Sequence, residues 1–357
     1  MKQRVWISIF ASMLFFAPDL SAQKSPEDLL EEINRLPAVE RQRRLEDGAK
    51  KEREVVWYST MNREDSNELI RAFETDYPYM KLSFVTAGGP KTLNRITAEY
   101  RAGAHLYDAT GYRATFLTPT RKAGVIMRYR TPLREFLRPG FVDQEGYFNA
   151  TFTRAFMFIV NKNLVAPKDY PKSFANLLEP KWKGKLAMDN ESYDLLAAML
   201  DHYGDTEGRR MAEALGKQEP GFRRGTTLVG QLVAAGEFSI MVDGSNHLAH
   251  DLKKKGAPIE YIFPEPFIPV MIPQGFWVAA RPPHPHGAAL FVDFMLAKKA
   301  QEIMANQGRW VSRKDVKYQV DPGPRKQQVV SHEKWGERTA ELVQLYNRLI
   351  MRDAKSS

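Results

Sequence analysis

The stretch at residues 54–90, EVVWYSTMNREDSNELIRAFETDYPYMKLSFVTAGGP, constrains the fold of this chain most, because it reads as one complete strand, helix, strand and glycine turn. Val55, Val56, Trp57 and Tyr58 form a short apolar run of strand type, with polar residues from Ser59 to Asn62 at its carboxyl end. Glu64 and Asp65 suit the positive end of a helix, Leu69, Ile70 and Phe73 fall on one of its faces, and Tyr77-Pro78 ends it before a second apolar run at residues 82–85. Such a unit belongs to a parallel sheet. Open sheets of that kind bind ligands beyond the carboxyl ends of their strands, which makes Ser59, Thr60, Gly88 and Gly89 candidate contacts.

Ahead of this unit, Lys2 and Arg4 precede an apolar run at residues 5–17 and then Leu20-Ser21-Ala22, the pattern of a secretion signal cleaved after Ala22. The run is too short for a spanning helix and no other stretch reaches bilayer length, so a soluble, exported protein is expected. With 0 cysteines, a disulfide framework, a thiolate metal site, a lipid-attachment cysteine and a cysteine nucleophile are excluded. The 357 residues, 43% of them hydrophobic, suffice for two domains with separate cores. A formal net charge of +9 favours anionic partners. The basic residues are scattered among acids and no nucleic-acid motif occurs, so nucleic acid is not an expected partner.

Residues 23–52 are charged and helical in pattern, with Leu29, Leu30, Ile33 and Leu36 on one side, and read as a surface extension ahead of the core. After the opening unit, Leu93, Ile96 and Tyr100 mark a helix, residues 106–112 a strand, residues 115–123 a helix, and residues 147–161 one long apolar strand region. A second group of elements starts near Lys162. It contains a strand ending at Met188, a helix carrying Leu195, Leu196, Met199 and Leu200 with Asn190 or Ser192 as its cap, and a further helix, strand and helix up to Lys255. Five prolines from Pro258 to Pro273 suit an extended crossover back to the first group. Residues 287–306 read as an amphipathic helix and residues 335–352 as a terminal one.

Taken in order, GAKKEREVVWYST, LIRAFETDYPYMKLSFVTAGGP, LNRITAEYRAG followed by YDAT, PKSFANLLEPKWKGKLAM, LVAAGEFSIMVDG and HGAALFVDFMLAKKAQEIMANQG resemble the periplasmic solute-binding proteins of ABC importers, in the branch that includes bacterial ferric-ion-binding proteins. The resemblance implies an α/β, two-lobed periplasmic-binding-protein fold of type II, each lobe a mixed, mainly parallel sheet flanked by helices, the two joined by crossing strands. It implies a monomer in the periplasm that closes a hinge over one small molecule and delivers it to an inner-membrane permease, with no cofactor and no catalysis. The expected division is residues 53–150 with 262–320 as one lobe, 151–261 as the other, and 321–357 as a helical tail.

Ferric members of that branch use a histidine after the first strand, a glutamate after the third, and paired tyrosines after the strand that here ends in MVDG. This sequence has Asn62 at the first place, Arg113 or Ala114 at the second, and Asn246-His247, beyond Asp243, at the third. A guanidinium repels a hard cation that wants charged oxygen ligands, so ferric ion is the second reading here. Arg154, in FTRAFMFIVN, falls where related iron binders hold an anion. A guanidinium fork suits a carboxylate or phosphonate equally well, and a small organic anion is the expected ligand. Asn190, Glu191, Ser192 and Tyr193 lie around the start of the second-lobe helix and are the remaining candidates.

Each candidate also has a plainer role. Ser59 and Thr60 would serve as strand end and helix cap, Gly88-Gly89 as a tight turn, and Arg113 and Arg154 as partners of structural ion pairs. His247 and His250 lie three apart on a helix, a spacing that permits a shared metal but more simply forms a polar face. An exported enzyme or a sensor on the same fold is the alternative function. The chain lacks a GxSxG elbow and a HExxH motif.

Overall fold

In the computed structural model, residues 24–352 are described apart from 87–88, 271–272 and 337. Two helices lead in, α1 (Pro26–Asn34) and α2 (Ala38–Glu52). The opening unit follows as β1 (Glu54–Ser59), α3 (Arg63–Asp76), β2 (Lys81–Thr86), α4 (Gly89–Arg101) and β3 (Ala109–Arg113). β1 runs parallel to both β2 and β3, which brings Ser59, Thr86 and Gly111 together at one end of the sheet. A tight turn, Ala114–Phe116, then leads to α5 (Leu117–Lys122) and β4 (Ile126–Met127).

The apolar stretch expected as one strand region divides in two. β5 (Asn149–Thr153) belongs to the first sheet and β6 (Phe156–Asn161) to a second, so the break between sheets falls on Arg154-Ala155. From there the chain builds β7 (Leu186–Asp189), α6 (Tyr193–Gly216, broken at Gly204), β8 (Gly221–Arg223), α7 (Thr226–Ala235), β9 (Ile240–Ser245), α8 (Asn246–Lys254) and β10 (Ile259–Ile262). The second sheet has the order β10-β6-β9-β7-β8. The proline-rich crossover contains β11 (Ile268–Val270) and delivers β12 (Gln274–Ala279) into the first sheet, antiparallel to β3 and β5. Then come α9 (Pro285–Leu296), α10 (Lys298–Asn306) and β13 (Trp310–Val311), which completes a first sheet of order β13-β5-β12-β3-β1-β2 with β4 beside β12. β14 (Gln327–Val329) pairs with β11. The expected terminal helix is interrupted: it consists of α11 (His332–Gly336), α12 (Thr339–Tyr346) and a wide helical turn, Asn347–Met351.

The first lobe packs around Trp57, whose ring lies 4.7 Å from Phe84 and 5.2 Å from Phe291 of α9. The N-terminal helices are part of this core, not a surface appendage. Leu30, Ile33, Leu45 and Ala49 are buried in it, because α9 is apolar on nearly all sides and needs cover on the face away from the sheet. Arg41 of α2 fixes the arrangement, donating to Asp293 at 2.5 Å and to the Tyr129 hydroxyl at 2.8 Å, all three side chains being buried.

The lobes are joined where strands pass between sheets. At that point Ala155 bridges Val270, and Asn246 at the start of α8 clamps both connections: its Oδ1 accepts from the Ala155 N–H at 3.0 Å and its Nδ2 donates to the Gly308 carbonyl at 2.6 Å.

Candidate functional site

Between the two sheets lies a cavity of about 490 Å³, lined from both lobes. Its walls are the segments beyond the carboxyl ends of β1, β3, β5, β7 and β9, as expected for open sheets of this topology. Seven of the residues singled out in the sequence line it: Thr60, Asn62, Arg113, Arg154, Glu191, Tyr193 and His247.

On the first lobe, the Thr60 hydroxyl accepts from Gln274 Nε2 at 3.3 Å. Asn62 reaches the cavity but is also the cap of α3, its Oδ1 accepting from the Asp65 N–H at 2.8 Å. Arg113, at the end of β3, stands 3.5 Å from Asp194 of α6, an ion pair that crosses the cleft. On the second lobe, Glu191 sits on the loop between β7 and α6 and Tyr193 opens α6, its ring packed edge-on against Tyr346 at 5.3 Å.

Other candidates stand behind these walls. Ser59 is buried, accepts from the Met61 N–H at 3.1 Å and donates to the Gly111 carbonyl at 3.4 Å, so it closes its strand and does not reach the cavity. Ser192 makes no capping bond. Its hydroxyl donates to Asp243, which also accepts from the Asp189 N–H at 2.8 Å, and the two together hold the loop that carries Glu191 and leads into Tyr193. Asn190 lies on that loop without lining the cavity, and Asn246 is the clamp between the lobes. Gly88 lies outside the described residues, and of Gly89 only its place at the start of α4 is described.

Arg154 dominates the electrostatics. It sits at the break between β5 and β6, and among the described residues its guanidinium has neither an ion pair nor a hydrogen-bond acceptor. Burial, reinforced by the like charges of Arg113 and Arg309, pulls its pKa down to about 10, so it still carries its charge at neutral pH. The same burial, with Arg309 and Arg154 nearby, drives the His247 pKa well below the usual histidine range and keeps the ring neutral. Its Nδ1 lies 3.0 Å from the Ser245 hydroxyl. Arg309 is buried and paired with Asp65 at 2.5 Å, stacked 5.0 Å above Phe152. Tyr112 and Tyr193 are held as phenols: burial pushes Tyr112 up to about 12 and raises Tyr193 as well.

Asp194, Gln274 and Arg309 line the cavity without having stood out in the sequence. Gln274 had a signal, being the first residue after the last proline of the crossover, while Arg309 enters only because Gly308, at φ +82°, turns the chain against His247 and His250. Trp335, Thr339, Leu342 and Val343 of the C-terminal helices line it too, although nothing in their spacing announces this.

No curated protein matches the sequence. Solved structures do match in fold. The periplasmic binding protein AfuA from Actinobacillus pleuropneumoniae, with exogenous fructose-6-phosphate bound, aligns with a TM-score of 0.73 at 21% identity over 84% of this chain and 98% of its own. Iron-bound HitA from Pseudomonas aeruginosa aligns with a TM-score of 0.72 at 20% identity over 83% and 99%. The ferric binding protein from Campylobacter jejuni gives 0.71 at 21% over 83% and 99%. This chain therefore has the two-lobed fold of the type II periplasmic binding proteins. Residues 111–335 match the family described as bacterial extracellular solute-binding protein, and this chain belongs to that family.

Proposed function

We propose that the protein is a periplasmic receptor that captures a small organic anion, a carboxylate or phosphonate, between its lobes and delivers it to an ABC importer in the inner membrane. The observation that carries this reading is Arg154, a crowded guanidinium facing the cavity with no counter-charge in contact among the described residues. An enclosed, unpaired cation is costly to the empty protein, and a bidentate anion relieves that cost while gaining two charge-assisted hydrogen bonds. The cavity supports an organic ligand over a bare ion, since about 490 Å³ falls within the range of small-molecule sites.

Direct ferric ligation, the other reading, is disfavoured by the donor set. Among the described residues no three His, Asp or Glu side chains could share a metal ion. The phenols that reach the cavity are held protonated, and Arg113, Arg154 and Arg309 surround the space such an ion would occupy.

A thermal-shift screen of carboxylates and phosphonates beside ferric ion tests the reading. An anion present at about 100 times its Kd adds about 2.7 kcal/mol and raises the melting temperature by about 5–10 °C, an increase that Arg154→Ala abolishes. Stabilisation by ferric ion and by no anion would overturn it.

A further inference from the structure

The cavity has a third wall that neither sheet supplies. Trp335, Thr339, Leu342 and Val343 reach it from α11 and α12. This C-terminal segment is docked on the second lobe. The Trp335 indole N–H donates to both carboxylate oxygens of Asp201 at 3.0 Å, the Tyr346 hydroxyl donates to the Asp189 carbonyl at 2.6 Å, and Leu342, Leu345, Tyr346 and Ile350 are buried. Gly216, at the end of α6, makes room for it: a Cβ there would lie 2.3 Å from the Leu349 carbonyl oxygen. At its other end α11 packs on the Ala114–Phe116 turn of the first lobe, next to Arg113. The segment therefore spans one side of the cleft, in contact with both lobes.

The chemistry of this wall is narrow. Trp335 has already given its N–H to Asp201. The Thr339 hydroxyl points back into its own helix, toward the Trp335 and Gly336 carbonyls at 3.1 and 3.0 Å, so it presents its methyl group. Leu342 and Val343 have no polar atoms beyond the backbone. Among the described residues this wall offers a ligand no free side-chain donor, whereas Arg113 and Arg154 line other parts of the same cavity. A hydroxyl pressed against such a surface loses its water without replacement, and a carbon surface pressed there gains.

We propose that the C-terminal wall selects organic anions with an apolar or aromatic body, the head group lying at Arg154 and the body against Thr339, Leu342 and Val343. This rests on the anion reading of the site, and the experiment separates the two. Calorimetric titration of the full mature chain uses acetate, benzoate and gluconate, with methylphosphonate and phenylphosphonate as a second pair. Benzoate is expected to bind tighter than acetate, and phenylphosphonate tighter than methylphosphonate, by about tenfold or more, with gluconate no better than acetate. Val343→Asn, which adds a polar group without a charge, removes most of that preference, read as the fall in the benzoate-to-acetate and phenylphosphonate-to-methylphosphonate affinity ratios. Val343→Thr, which keeps the shape of the side chain and hence the fold, lowers the preference by several-fold. Gluconate binding tighter than benzoate, or a preference untouched by both variants, would overturn the wall's role while leaving the anion site standing. Absence of binding by all five probes would sink the anion site and this inference together.

Discussion

At the scale of single residues, the site is a place where stability has been given up. Arg154 is crowded, lies near two other guanidinium groups, and among the described residues has no contact that neutralises it. Replacing it with an apolar residue of similar length relieves that repulsion, so Arg154→Met is expected to melt at or above the wild-type temperature in the absence of ligand while losing at least about tenfold in anion affinity. A fall in melting temperature would mark Arg154 as part of the scaffold. Asp243 is the second such residue. Burial, opposed by the Ser192 hydrogen bond and reinforced by Asp189, pushes its pKa from 3.8 up to about 7. Its Oδ1 is buried without a partner among the described residues. An acid whose folded pKa lies above its unfolded value contributes full stability below the unfolded pKa and loses it as pH rises toward the folded one. The wild type should therefore lose stability between about pH 4 and 7 relative to Asp243→Asn, which has no such titration. Chemical denaturation at several pH values measures the difference, and parallel curves would show that Asp243 does not titrate in this range.

At the scale of elements, the N-terminal helices test how well burial follows from pattern. Asp293→Ala leaves Arg41 without its carboxylate inside the first lobe and should cost about 3–5 kcal/mol, read from the urea midpoint. A surface appendage would show almost no loss. The sequence of residues 54–90 announced its strand, helix and strand because apolar spacing is a local property, and the structure repeats them as β1, α3 and β2. What spacing does not carry is the identity of the neighbouring element. The run through residues 147–161 is rich in apolar residues from end to end, yet β5 and β6 pair in different sheets, and only the partner strands reveal that Arg154 stands at the switch. The charged stripe of α2 looks solvent-facing until α9 is placed beside it. His284 and His286 read as the lead into a helix. They also tie that helix down, through Asp108 at 2.9 Å and Glu52 at 2.7 Å. Thr60 was legible because it follows a strand end, Glu191 and Tyr193 because they lie around a helix start, and Asn62, Arg113, Arg154 and His247 through the family resemblance. Asp194, Arg309 and the C-terminal wall were not, because they reach the cavity through tertiary packing from helix, hinge and tail.

At the scale of the whole molecule, the proposed function requires the lobes to separate and close. The Arg113–Asp194 pair, 3.5 Å across the cleft, and the α11 contact with the Ala114–Phe116 turn hold them together here. Arg113→Ala removes the first of these, so the ligand-free variant is expected to have a larger radius of gyration by small-angle X-ray scattering than the ligand-free wild type. Equal values would show that the pair does not restrain the lobes. The central claim is that the cleft holds an organic anion at Arg154. Its most direct test is mass spectrometry of the solute released when the protein, purified from a periplasm, is denatured. The account predicts an organic carboxylate or phosphonate, absent from Arg154→Ala prepared in the same way. Ferric ion, or a neutral or cationic solute retained equally by both proteins, would contradict it.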